Sequence, residues 1–245
     1  MKKNTMMRVA SVLLIAVLLS TCAISGTFAK YVTSGSSNDF ARVAKFGVTV
    51  KGFTDMFAKT YKDTYTNVAA EITVESSTLE DVVAPGTQGT LTGFDINGQP
   101  EVDVRVSYSV DVFTMENWEV DLDKDGVMDG EYCPIVFTIS KNGVSTNYYI
   151  GDSVATNVNS LIAEVAAAIN TYTVDYQTNE VLDGNADDDL VISWRWYFEN
   201  TTTGNPLSGY QVDAGDTALG NQAAADTNEA GNITIKITCT VTQID

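Results

Sequence analysis

The chain is 245 residues long, enough for one large domain or two small ones, and carries 32 acidic side chains against 14 basic ones for a formal net charge of −18. That excess of carboxylates opposes nucleic acid and anionic lipid as partners, because phosphate contacts need Lys and Arg. Histidine is absent, which removes HExxH zinc proteases and Ser-His-Asp triads together and argues against an enzyme.

Lys2, Lys3 and Arg8 precede an apolar run from Val9 to Leu19, and small residues lead on to Thr27-Phe28-Ala29. A charged start, an apolar stretch too short to span a bilayer and a small-residue cleavage zone predict a secretory signal peptide over 1–29. Cleavage after Ala29 removes three cations and no acid, taking the net charge from −18 to −21 and leaving a secreted chain with no membrane attachment. Leu19-Ser20-Thr21-Cys22 offers a competing reading as a lipobox in which Cys22 is lipidated and retained, although Thr21 stands where Gly or Ala is usual. Lys30 to Phe40 is rich in Ser and Gly and has no strong apolar pattern. It is expected to be a flexible connector, with the folded domain running from Ala41 to 245.

Strand signals dominate the remainder. Phe46–Val50, Ile72–Val74 and Leu91–Ile96 are short candidates, and Pro85-Gly86 marks a turn between the last two. From Val102 to Val112 every even position is apolar and every odd one polar, which is the period of a strand with one dry face. Ile135–Ile139 continues through Lys141-Asn142-Gly143 into Asn147–Ile150, and Asn-Gly between apolar alternations predicts a hairpin. Between Asn157 and Asn170, Val158, Leu161, Ile162, Val165 and Ile169 recur at helical spacing, with Asn157 or Asn159 as N-cap. Thr171–Asp189 and Thr201–Gly231 are polar and read as long surface loops. Ile192, Trp194, Trp196 and Phe198 share one face of a further strand, and Ile233, Ile235, Ile237, Cys239 and Val241 share one face of the last. So many half-buried strands need an opposing sheet. The expected architecture is all-β, an antiparallel β-sandwich of jelly-roll type with one short amphipathic helix at about 157–170 and long loops.

The sharpest chemical motif is Asp121-Leu-Asp123-Lys-Asp125-Gly126-Val127-Met-Asp129. Asp at positions 1, 3, 5 and 9, Gly at 6 and a backbone carbonyl at 7 form the front half of an EF-hand-like calcium loop. Position 12 is Tyr132 and Glu131 sits one place early, so a different residue must close the shell. Calcium held by Asp121, Asp123, Asp125, Val127 and Asp129 stands beside the alternative of a solvated acidic turn. Asp183 to Asp189 is a second acidic loop with poorer spacing. Trp118, Trp194 and Trp196 are expected in the core rather than at a ligand platform. Cys133 and Cys239 form either one disulfide or two separate buried thiols.

Gly26-Thr-Phe-Ala-Lys-Tyr-Val-Thr-Ser, followed by Ala41-Arg-Val-Ala-Lys-Phe-Gly-Val, resembles the leader and first strand of Gram-positive exported proteins processed by a SipW-type signal peptidase. Ala84-Pro85-Gly86, Gly98-Gln-Pro-Glu-Val, Glu116-Asn117-Trp118, Ile192-Ser-Trp-Arg-Trp and Asp216-Thr-Ala-Leu-Gly220 extend the similarity over most of the chain. The family resembled is the TasA/camelysin group of biofilm matrix proteins. The resemblance implies a jelly-roll domain whose copies join head to tail into extracellular fibres, the N-terminal segment of one adding a strand to the next. Lys30, Tyr31, Val32 and Phe40 are the expected assembly residues. A monomeric calcium-dependent surface adhesin is the alternative. A camelysin-like peptidase is the weaker one, since the absence of His removes the usual zinc ligands.

Overall fold

In a computed structural model, the described residues are 3–31, 42–52, 55–64, 71–78, 80–91, 94–152, 154–183, 190–198, 204–225 and 230–244. In chain order they form α1 (Lys3–Tyr31), β1 (Val48–Lys51), β2 (Thr60–Thr64), β3 (Glu71–Glu75), β4 (Gln88–Leu91), β5 (Asp95–Gly98), β6 (Val104–Glu116) and β7 (Glu119–Val120). They continue as β8 (Gly130–Glu131), β9 (Ile135–Lys141), β10 (Val144–Tyr148), α2 (Val158–Asn170), β11 (Thr173–Tyr176), β12 (Leu182–Asp183), β13 (Val191–Trp196), α3 (Asp213–Ala225) and β14 (Asn232–Gln243). The chain divides into two units, 1–43 and 44–245. Among the described residues every buried core residue belongs to the second unit, from Met56 onward, so 44–245 carries its own core.

The first unit contains α1, whose side chains from Asn4 to Ser20 are exposed. Among the described residues no helix is long and apolar enough to cross a membrane. α1 extends through Lys30 and Tyr31, two residues expected in the flexible connector.

The second unit is mostly β, with several antiparallel sheets, as an all-β chain requires. β10-β9-β13-β4 form one four-stranded sheet and β11-β6-β14 a three-stranded one. Phe113 of β6 meets Phe137 of β9 edge to face at 5.4 Å, so the two sheets share one core. On β13, Ile192, Trp194 and Trp196 all point inward, as their alternation predicts. The expected hairpin is present: Asn142 and Gly143 both have positive φ, 49° and 73°, which is the turn that lets β9 and β10 pair without splaying. Gly86, at φ 89°, closes the Pro85-Gly86 turn, where the Thr87 amide donates to the Ala84 carbonyl at 3.0 Å.

The strict alternation expected through Val112 fails. Val104, Val106 and Tyr108 face the core, but beyond them Phe113 and Met115 do so, and Val112 is 40% exposed. The cause is a β-bulge: Lys236 pairs with Val112 and Ile237 with Val110, leaving Asp111 as an extra residue that flips the parity of β6. The Asp111 carboxylate accepts from the Thr238 hydroxyl at 2.6 Å, and the Val110 amide donates to the Asn170 side chain at 2.7 Å, so the break leaves these groups satisfied.

Among the described residues three helices replace the single one expected. α2 begins as its sequence requires, with Asn157 and Ser160 forming a capping box and Glu131 accepting from the Val158 amide at 2.9 Å. It buries Val158, Leu161, Val165, Ala168 and Ile169. The stretch 201–231, expected to be loop, contains α3, and 171–189 contains β11 and β12.

Candidate functional site

Three features of the second unit could carry function: a long sheet border, an acidic loop and a cleft. The border is β14. β6 lies between β11 and β14 and pairs with β14 from Asn232↔Glu116 to Gln243↔Val104, so β14 has one partner strand among the described residues. It is 12 residues long, whereas the other bordering strands of the two main sheets, β10, β4 and β11, have five, four and four. Its inward residues Ile233, Ile235, Ile237, Cys239 and Val241 pack on the core, and its outward row is Thr apart from Asn232 and Lys236. Sheet borders are ordinarily blunted by charge, Pro or brevity. β14 has no Pro, and its one charge, Lys236, lies 3.5 Å from Asp111 of its own sheet.

The acidic loop spans the turn between β7 and β8. Asp121, Asp123 and Asp129 each place a carboxylate oxygen within 4.8 Å of the others. The loop is ordered by its own amides: Lys124 and Gly126 donate to Asp121 at 2.7 and 2.8 Å, and Leu122 donates to Asp129 at 2.6 Å. The amide of Gly126 is the first reason that the Asp121 carboxyl lies below its ordinary range, with the amides of Lys124 and Asp125 and the Asp123 side chain adding to it. Asp125 is not part of the cluster; its carboxylate accepts from the Val127 amide at 2.8 Å. Val127 is 67% exposed on the loop exterior. An all-oxygen set of three carboxylates suits a hard cation such as calcium, which takes 6–8 oxygens, so water would complete the shell. Glu131, the nearest acid to the closing position, is committed to the α2 N-terminus.

The cleft, about 580 Å³, was not anticipated. It lies between α3, residues 74–78 and 80–85 and the start of β14, and it is floored by Trp118 and Trp196, whose ring centroids are 6.0 Å apart. Asp216, from the first turn of α3, also lines it. The Asp216 carboxylate accepts from Tyr132 Oη at 2.7 Å, Trp196 Nε1 at 3.2 Å and Gln211 Nε2 at 2.9 Å. Burial raises its carboxyl above the ordinary range, against those three hydrogen bonds. Burial likewise raises the Tyr132 phenol, helped by Asp216, and pushes Tyr210 up to about 12. This network ties α3 to β13 and to the residues following β8. The local signals for α3 were Asp213 and Asp216 in the first turn and Ala223-Ala224-Ala225 at the end, without an apolar stripe.

Cys133 and Cys239 are separate thiols, which excludes the disulfide reading in this structure. Cys133 is fully buried just before β9 and burial pushes its thiol up to about 12, while Cys239 sits opposite Tyr108 on β14. Trp118, Trp194 and Trp196 are buried, as expected of core residues. Of the assembly residues, Lys30 and Tyr31 end α1, whereas Val32 and Phe40 lie outside the described residues, as does the second acidic loop beyond Asp183. No protein-family model, curated protein or solved structure matches the chain.

Proposed function

We propose that the chain is a secreted structural protein, a subunit of extracellular matrix fibres that grow by strand donation between copies. One observation carries the reading: β14 borders its sheet for 12 residues and is paired on one side only among the described residues. So long an edge, paired on one side among the described residues, is a template for another strand. An extended segment of a second copy supplies main-chain bonds for affinity and side chains for register.

The donor in this reading is Lys30–Phe40, anchored by Tyr31, Val32 and Phe40. A donor at one end of the chain and an acceptor edge elsewhere make a head-to-tail contact that does not close, so copies propagate. The leader 1–29 withholds the donor until a SipW-type signal peptidase removes it, which confines assembly to the cell exterior. The two sheets joined through Phe113 and Phe137 support a jelly-roll sandwich as the repeating unit. The role is structural and not catalytic, in keeping with a chain that has no His.

The test compares a chain beginning at Lys30 with one beginning at Ala41 by light scattering and electron microscopy. Filaments from the first and monomers from the second are expected; monomers from both at high concentration refute the reading. The clustering of Asp121, Asp123 and Asp129 favours a second reading, a monomeric calcium-dependent adhesin. That reading gains if both chains stay monomeric.

A further inference from the structure

The cleft and the β14 border are continuous. Asn232 and Ile233, the first two residues of β14, also line the cleft, so a strand laid along β14 ends there. The cleft is acidic: Glu75, Glu80, Asp81 and Asp216 line it, and no Lys or Arg is among its described lining residues. Glu75, Glu80 and Asp81 are exposed and can turn toward a ligand, whereas Asp216 is occupied by three donors and contributes its charge alone. The walls are apolar, with Phe57, Leu219 and Ile233. At about 580 Å³ it falls within the range of sites that enclose a small ligand, roughly 300–1,000 Å³.

Such a site fits a cation attached to an aromatic or aliphatic side chain. The donor segment offers that chemistry at its head: in this acidic chain, cleavage after Ala29 leaves a new α-amine, Lys30, Tyr31 and Val32 in succession, with no acid until Asp39. A free chain end also needs no exit from the cleft, whereas the Arg42 end must continue into its own domain.

Resting on the strand-donation reading, we infer that the cleft at the head of β14 is the socket for the processed N-terminus of a second copy, its α-amine and Lys30 facing the carboxylates and Tyr31 the apolar wall. The donor consequently runs parallel to β14, from Asn232 toward Gln243. Lys30 to Phe40 has 11 residues against the 12 of β14, so the segment is long enough to follow nearly the whole border. Complementary charge acts mainly on capture, so it sets the rate of fibre growth and its dependence on salt.

The experiment uses the chain beginning at Lys30, which retains the whole core. The variant Glu80→Lys with Asp81→Lys should lengthen fibres about tenfold more slowly at low salt and lose the salt dependence. Adding Lys30→Glu to that variant should restore growth. A photoreactive residue replacing Ala223 should crosslink to the first residues of a neighbouring copy. Unchanged growth in the double variant, no rescue, or fibres whose Ala223 crosslinks map elsewhere overturn the socket while leaving strand donation standing. A wild-type chain that forms no fibres overturns strand donation itself.

Discussion

Two glycines in α3 should respond to the same substitution with opposite signs. A Cβ added at Gly215 would lie 2.6 Å from Cε1 and Cζ of Tyr132 and 2.9 Å from Cδ1. The ring cannot yield easily: its hydroxyl bonds Asp216 and the Val212 backbone at 2.7 and 3.0 Å, and it stacks on Tyr210 at 5.5 Å. Overpacking at a site of this kind costs about 1–3 kcal/mol. The helix propensity gained from Gly to Ala returns at most about 1 kcal/mol. Gly215→Ala is therefore expected to destabilise the domain by roughly 1–2 kcal/mol, which lowers Tm by about 2–8 °C at this size. A Cβ at Gly220 meets nothing within 4 Å. Gly220→Ala should stabilise by about 0.5–1 kcal/mol, because only the unfolded chain loses freedom. Calorimetry on the chain from Ala41, where assembly does not intervene, measures both. A Gly215→Ala protein as stable as the wild type, or two substitutions shifting Tm in one direction, would refute the packing of α3 on Tyr132.

Asp216→Asn places an amide nitrogen against Gln211 Nε2, or leaves Tyr132 and Trp196 facing it; Gln211 cannot flip, since its Oε1 accepts from Asn205 and its Nε2 also donates to Tyr197. A loss of about 1–3 kcal/mol at neutral pH is expected from denaturant titration. Because the folded carboxyl is raised, its contribution to stability is complete below the unfolded value, about 3.9, and is lost as pH rises through the folded value. The Asn variant should lack that decline, and parallel pH profiles for the two proteins would contradict the assignment. Asn157→Ala removes the acceptor for the Ser160 amide and should cost about 1 kcal/mol, read as a lower midpoint in urea. Calcium at about 100 times its dissociation constant should stabilise the wild type by about 2.7 kcal/mol and Asp123→Ala by much less. An identical flat response in both would remove the acidic loop as a site.

The alternating strands were legible because burial itself imposes the period: Ile192, Trp194 and Trp196 and the odd positions of β14 lie where their pattern puts them. The helix over 158–170 was equally clear, since its cap and its apolar stripe agree. The parity switch in β6 was not, because Val110 and Val112 look alike in sequence and the bulge at Asp111 depends on pairing with a strand more than a hundred residues away. α3 escaped because it buries little beyond Gly215 and Leu219 and is fixed by the half-buried carboxylate of Asp216 instead of an apolar face. The acidic loop was legible from the spacing of its carboxylates, and the structure clusters Asp121, Asp123 and Asp129 of it. The cleft was invisible, since it joins α3, the residues before β4 and the head of β14, distant segments that share no motif.

Amide hydrogen exchange along 232–243 probes the β14 border directly. In the chain from Ala41, outward-facing amides of β14 should exchange quickly and those bonded to β6 slowly. In fibres of the chain from Lys30, both sets should be protected across the strand. Fibres in which β14 retains its fast-exchanging amides would mean that copies join through some other surface.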